Sequence, residues 1–238
     1  MSFIRQNLNL DHSWHIICDF DGTISQKDTT DQLLNLFAQD GWLEIEKQWE
    51  DGLIGSKVCM QKQIALLDMS EQEFHACLDQ IEIDPGFIEI VNLFAQSKIK
   101  LSVVSDGLDL AIRYILKKHQ LEHLPIIANK LTQRAQRTWE LNFPYAQADC
   151  MSQSGTCKCN VAQHPLLNRV LLIGDGRSDY CLAEQADYVF AKKSLIKHCQ
   201  DKQIAHMPFE SLSELIQPIT QLLQNQSMHF ENDLLVNS

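Results

Sequence analysis

The chain has 238 residues, a net charge of −11, 45% hydrophobic residues and 21% charged residues. That balance fits one large domain, or one domain carrying a small insertion. It excludes a general nucleic-acid or anionic-membrane surface. The eight cysteines need no disulfide framework in a chain of this size. Met1 to Asp11 is polar, with no apolar h-region, so the expected compartment is the reducing cytoplasm. No apolar run approaches a membrane span.

In chain order, residues 1–13 read as a terminal arm. His15 to Phe20 is a short apolar run that predicts a buried strand of a parallel sheet. Two acids, Asp19 and Asp21, close it, followed by the Gly22-Thr23 turn. Between 27 and 82 the pattern is helical throughout. Helices are expected over Asp31–Gln39 and Trp42–Glu50, and from Ser56, read as an N-cap, through Leu67. Ser70 with Glu73 forms a capping box that opens a further helix to about Gln80. Asp84-Pro85-Gly86 then starts the helix Phe87–Ser97.

Helices and strands alternate from there. Strands are expected at Lys100–Ser105, Leu124–Asn129, Arg169–Ile173 and Tyr188–Ala191, with an edge strand at Ile204–Met207. Lys130–Thr132 with Thr138–Phe143 reads as a small antiparallel excursion. Helices are expected at Leu108–His119, Ser178–Gln185, Leu195–Gln200 and Ser211–Gln224, and 225–238 as a second terminal arm. Such alternation implies a parallel sheet with helices on both faces. The predicted core is 14–26 with 83–224, and 27–82 is a helical insertion beside the mouth of the first strand.

Three strands end alike, at Asp19–Asp21, at Ser105-Asp106-Gly107 and at Gly174-Asp175-Gly176. In a parallel sheet these ends share one edge. The groups gathered there are Asp19, Asp21, Thr23, Ser105, Asp175 and Asp179, with Lys158 from the preceding loop. Acids without an arginine repel one another, and a hard divalent cation relieves that; carboxylate oxygens suit Mg²⁺, which then also binds substrate phosphate. Ser105, Thr23 and the loop amides at Asp106 and Gly107 can hold phosphate oxygens, with Lys158 as a point charge. An ionised aspartate can attack phosphorus, and a second carboxyl two residues away can move the protons.

These residues resemble the haloacid dehalogenase superfamily of phosphatases. Asp19-Phe20-Asp21-Gly22-Thr23 matches its first motif, Ser105 its second, Lys158 its third, and Gly174-Asp175-Gly176-Arg177-Ser178-Asp179 its fourth. The resemblance covers residues 15–220. It implies a Rossmann-like α/β core with a small helical cap after strand one. It also implies Asp19 as nucleophile and metal ligand, and Asp21 as general acid/base with its carbonyl on the metal. Asp175 would be a further ligand, and Asp179 a support to the metal site. The cap resembles that of the phosphoserine-phosphatase-like branch. Local phrases such as Ile83-Asp84-Pro85-Gly86-Phe87 and Gly155-Thr156-Cys157-Lys158 look like the MtnX-like group. That group takes its name from a 2-hydroxy-3-keto-5-methylthiopentenyl-1-phosphate phosphatase of methionine salvage. The implied activity is Mg²⁺-dependent hydrolysis of a small phosphorylated metabolite. Phosphoserine, phosphocholine or phosphoethanolamine, and a vitamin phosphate are alternative substrates. A phosphotransferase and a non-catalytic regulatory module are alternatives of other kinds.

Other signals have plainer readings. Cys150, Cys157, Cys159 and His164 do not follow the C-x2-C zinc spacing and read as packing. Gly174-Asp175-Gly176 is not a dinucleotide fingerprint, because Asp179 stands where the third glycine belongs. Trp42 and Trp49 read as core of the helical segment, with a substrate wall as a second role. Glu46 and Glu50, four apart, read as a solvated face, with a substrate amine as the alternative contact. Glu46, Trp49, Glu50 and Arg177 are therefore the specificity candidates, and Asp28 reads as a support for the linker. The sequence carries no sign of oligomeric state.

Overall fold

The computed structural model describes residues 14–162 and 169–223. The arms expected at 1–13 and 225–238, and His164, lie outside the described residues. Among the described residues, β1 (Trp14–Cys18), β2 (Lys100–Leu108), β3 (Ile126–Ala135), β4 (Thr138–Asn142), β5 (Arg169–Gly174), β6 (Tyr188–Ala191) and β7 (His206–Pro208) form one sheet in the order β4-β3-β2-β1-β5-β6-β7. All neighbours are parallel except β3 and β4. The five residues of β1 are buried, as a central strand covered on both faces requires. The chain runs from β1 outward through β2 and β3, then returns to place β5 on the other side of β1. That reversal makes the β1–β5 boundary the topological switch point, where open α/β sheets bind ligands.

The helices are α1 (Thr29–Phe37), α2 (Trp42–Glu50), α3 (Ser56–Ile64), α4 (Glu71–Leu78), α5 (Gly86–Gln96), α6 (Asp109–Lys118), α7 (Lys158–Ala162), α8 (Tyr180–Ala183) and α9 (Lys193–Asp201). Asp28 caps α1, its Oδ1 accepting the Asp31 amide at 3.0 Å. The Ser70–Glu73 box caps α4 in both directions. Two expectations shift. The strand ends at Cys18, so Asp19 is the first residue beyond β1. Ser56 does not cap α3: Gly55 holds that position with no side-chain bond, and the Ser56 hydroxyl is used elsewhere.

The chain enters and leaves α1–α4 through one narrow antiparallel linker. Ser25 pairs with Ile83, the Gln26 amide donates to the Glu82 carbonyl at 3.0 Å, and the Asp84 amide donates to the Ile24 carbonyl at 2.8 Å. The β3–β4 hairpin is the seat for the far end of this segment. Trp139 packs on Phe74 with centroids 5.1 Å apart, and its Nε1 donates to the Met69 carbonyl at 2.9 Å. Arg137 adds ion pairs to Asp68 and Glu73.

Asp84 fastens the last described segment to the start of α5. Its Oδ1 accepts the Gly86 amide at 2.9 Å, and its Oδ2 accepts Leu212 N at 2.8 Å and Ser211 Oγ at 3.0 Å. The 3₁₀ turn Leu212–Leu215 lies so close to α5 that a Cβ on Gly86 would strike the backbone at Leu212 and Ser213. The substitution Gly86→Ala is therefore expected to destabilise the fold by about 1–3 kcal/mol through overpacking, seen as a lowered denaturation midpoint. An unchanged midpoint would contradict this close approach.

Candidate active site

The site is built at the switch point. Just past β1, the Asp19 amide donates to the Ile173 carbonyl of β5 at 2.9 Å, which fixes Asp19 against the neighbouring strand. Its side chain is buried, and Oδ1 accepts the Phe20 amide at 2.8 Å and Lys158 Nζ at 2.9 Å. Lys158, expected on a loop, is the first residue of α7. It is 2% exposed and lies between two acids, with Asp179 Oδ1 at 2.6 Å. It also donates to Ser178 Oγ at 3.1 Å. The other Asp179 oxygen accepts the amides of Asp175 and Gly176 at 3.0 and 3.1 Å. Asp179 thus has both oxygens occupied, one by a cation and one by the turn it shapes.

One oxygen from each of Asp19, Asp175 and Asp179 lies within 4.8 Å of the others. Burial pushes the Asp19 carboxyl well up from its ordinary range; Lys158 pulls it down, and Asp179 and Asp175 add like charge. Burial also raises Asp175, against a pull from Lys193. For Lys158, burial works downward, but Asp179 and Asp19 outweigh it and raise its pKa. The set holds more negative charge than one buried lysine balances. Its donors are hard oxygens at metal-ligand separations, so it fits a hard divalent cation.

Asp21 stands at the mouth, half-buried, with Oδ1 accepting the Thr29 amide at 2.8 Å. Burial, with Asp28 adding like charge against the Thr29 hydrogen bonds, pushes its carboxyl up to about 8. Gly22 has φ +73°, a conformation costly for other residues, and a Cβ there would collide with Asp175 and Lys193. On the β2 side, Ser105 is buried, and its Oγ accepts the Gly107 amide at 2.9 Å.

A cavity of about 280 Å³ opens between this edge and the helical segment. Asp19, Asp21, Ser105, Asp106, Gly107, Asp175 and Arg177 line it from the core, and Asp28, Asp31, Glu46, Trp49, Met60 and Gln63 line it from the helices. Thr23 does not reach it. Its side chain is buried behind the loop with Oγ1 unpartnered, which corrects the expectation of a direct phosphate contact. Glu50 is exposed and off the wall, so only Glu46 of that acidic pair faces the cavity. Glu46 accepts Gln63 Nε2 at 2.7 Å. Arg177 donates to the Trp49 carbonyl at 2.8 Å and lies 5.2 Å from the Trp49 ring centroid, so it bridges the fourth-motif turn to α2.

Some site residues were not legible in advance. Lys193 pairs with Asp175 at 2.8 Å from the start of α9. Only its place just after the β6 strand end could have signalled it. Ser56, Asn129 and Thr156 meet around the Asp106 carboxylate. They come from three distant segments, and no local spacing links them. All eight cysteines are free.

Residues 14–221 match the family model described as "Putative Phosphatase". A 2-hydroxy-3-keto-5-methylthiopentenyl-1-phosphate phosphatase of Exiguobacterium sp. is 30% identical over 209 residues, covering 85% of this chain and 95% of the relative. A protein of the same name from Brevibacillus brevis is 27% identical over 218 residues, covering 88% and 96%. Among solved structures, a substrate-bound phosphoserine phosphatase complex superposes with a TM-score of 0.65 at 20% identity, covering 86% of this chain and 97% of that one. A phospho-aspartyl intermediate analogue of phosphoserine phosphatase gives 0.64 at 20% identity, covering 87% and 98%. At that identity the likeness speaks for the fold. With the motif residues gathered at one sheet edge and the match running almost from end to end, the chain belongs to the "Putative Phosphatase" family.

Proposed function

We propose that the chain hydrolyses a small phosphorylated metabolite through an aspartyl-phosphate on Asp19. The observation that carries this is the state of Asp19: among the described residues both of its side-chain contacts, to the Phe20 amide and Lys158 Nζ, go to Oδ1, and the residue lines the cavity. Oδ2 is then the attacking oxygen, and the Lys158 charge helps keep it ionised. Ser105 Oγ, which the Gly107 amide orients, and the Asp106 amide hold phosphate oxygens, while Lys158 draws electron density from the transferring group through the Asp19 side. Asp19 and Asp175 would hold Mg²⁺ with the Asp21 carbonyl, and Asp179 would support them from behind. When bound, the ion offsets the negative charge of phosphate and carboxylates during transfer.

Asp21 acts as the acid. A carboxyl near 8 carries its proton at neutral pH and can give it to the leaving oxygen. The resulting carboxylate then takes a proton from water, which attacks phosphorus and frees Asp19. Residues 27–82 act as a cap that excludes bulk water during these steps. Its cavity wall, with Trp49 and Met60, suits the methylthio chain in the substrate named for the bacterial relatives, and we take that phosphate as the leading substrate. The acids Asp28, Asp31 and Glu46 on the same wall favour a second reading, a phosphate ester bearing an amine. Work in the cytoplasm is supported by eight free cysteines, and among the described residues no helix is long and apolar enough to cross a membrane.

Three outcomes are expected. Asp19→Asn abolishes release of p-nitrophenol from p-nitrophenyl phosphate, and turnover at the wild-type rate would sink the nucleophile assignment. Chelation with EDTA silences the wild type, and Mg²⁺ restores it; activity indifferent to EDTA would remove the cation from the reading. Asp21→Asn costs about 10²–10⁴-fold on an alkyl phosphate, whose leaving group needs a proton, and much less on p-nitrophenyl phosphate. Equal losses on both esters would argue against Asp21 as the acid.

A further inference from the structure

One buried acid at this edge has no part in the chemistry above. The Asp106 side chain follows Ser105 directly and is buried. Its Oδ1 accepts Asn129 Nδ2 at 3.0 Å and the Thr156 amide at 2.9 Å. Its Oδ2 accepts the hydroxyl of Ser56, in the first turn of α3. Thr156 Oγ1 donates to Asn129 Oδ1 at 3.0 Å, and Asn129 Nδ2 also reaches the Asp106 carbonyl at 2.5 Å. The carboxylate therefore joins four separate pieces of chain: α3, β2, β3 and the loop before α7. Thr156 is two residues from Lys158, and Ser105 is the adjacent residue on β2.

A buried carboxylate with no cation in contact is costly, and an amide could tie the same loops together at less cost. What the charge adds is a strong acceptor for a hydroxyl arriving from the helical segment. Ser56 is free to arrive there, because it spends nothing on capping its own helix. The neighbouring contacts make the same landing specific. Lys57 N donates to the Gln153 carbonyl at 3.1 Å, and a Cβ on Gly55 would collide with Gln153. The start of α3 is thus seated on the loop that leads to Lys158.

We infer that Asp106 is a positioning residue that couples the seating of α3 to the phosphate-binding edge. With Ser56 docked, all three donors lock the carboxylate, and Ser105 and the Lys158 loop are held in register for transfer. With Ser56 withdrawn, the carboxylate is released toward solvent and the edge loosens. This rests on the reading of residues 27–82 as a cap over a phosphatase site.

The test uses the full chain with Mg²⁺ and p-nitrophenyl phosphate. Ser56→Ala is expected to lower kcat about tenfold or more, the loss of one hydrogen bond to a buried charge, with an unchanged melting temperature. Ser56→Thr, which keeps the hydroxyl, should recover most of the rate. In an Asp106→Ala background, Ser56→Ala should have no further effect. A wild-type kcat in Ser56→Ala overturns the inference, as does a full-size loss on top of Asp106→Ala. Should Asp106→Ala fail to fold, the Ser56→Ala and Ser56→Thr pair decides alone. A wild-type protein without turnover overturns the phosphatase reading as well, so the two failures are distinct.

Discussion

The arrangement depends on a single buried cation. Lys158 lies between Asp19 and Asp179, with almost no exposure on any of the three side chains. Without it, Asp19, Asp175 and Asp179 would be three like charges within metal-ligand distance of one another, with only the more exposed Lys193 to oppose them. Removing one partner of such a buried group leaves the others uncompensated, which is far costlier than the loss of a surface pair. Lys158 and the more exposed Lys193 together do not neutralise three acids, however. The remaining negative charge is what makes the site receptive to a divalent cation and, with it, to phosphate.

The sheet determines which of these acids can do what. Asp19 is tied by its backbone to β5 and by Oδ1 to Phe20 and Lys158, so one oxygen is fixed and the other takes part in none of these contacts. Asp179 has no such freedom, since backbone amides and Lys158 use both of its oxygens. Asp175 is partnered by Lys193, a surface-facing lysine that an arriving cation can displace at modest cost. Three chemically identical side chains thus differ because different backbone donors reach them. The fourth, Asp21, differs again: among the described residues no lysine is in contact with it, and burial with the nearby Asp28 charge pushes its carboxyl up to about 8.

What the sequence made legible follows from where the information lies. The core motifs are local: Asp19 and Asp21 sit on one strand end, and Asp175 and Asp179 on one turn. Their strands also show as apolar runs that end in glycine. The alternation of elements gave the parallel sheet, and the capping box at Ser70 marked α4 correctly. What failed was long-range or geometric. Thr23 belongs to the first motif by spacing, but the turn at Gly22 points it inward and away from the cavity. Ser56 looks like a helix cap in sequence, because nothing local reveals a carboxylate fifty residues away. Lys193 reaches Asp175 only because β5 and β6 are neighbours, with Gly174 opposite Ala191.

The helical segment touches the reaction edge from two sides, and the two contacts differ in kind. At its start, the Thr29 amide holds Asp21, so the first turn of α1 sets the direction of the carboxyl proposed as the acid. That bond is made within a few residues of the linker and needs little rearrangement of the rest of the segment. At α3, Ser56 reaches Asp106 across fifty residues of chain, so this bond depends on where the whole segment lies. Asp21 is therefore oriented by local folding, whereas the ordering inferred for the Ser105–Asp106 edge depends on docking. An enzyme organised this way keeps its acid poised at all times but completes its phosphate site only when the segment is seated. Seating in turn encloses the cavity that Trp49, Met60 and Glu46 line, the wall proposed to meet the rest of the substrate. In the proposed function, substrate choice and phosphoryl transfer are then linked through one carboxylate, Asp106.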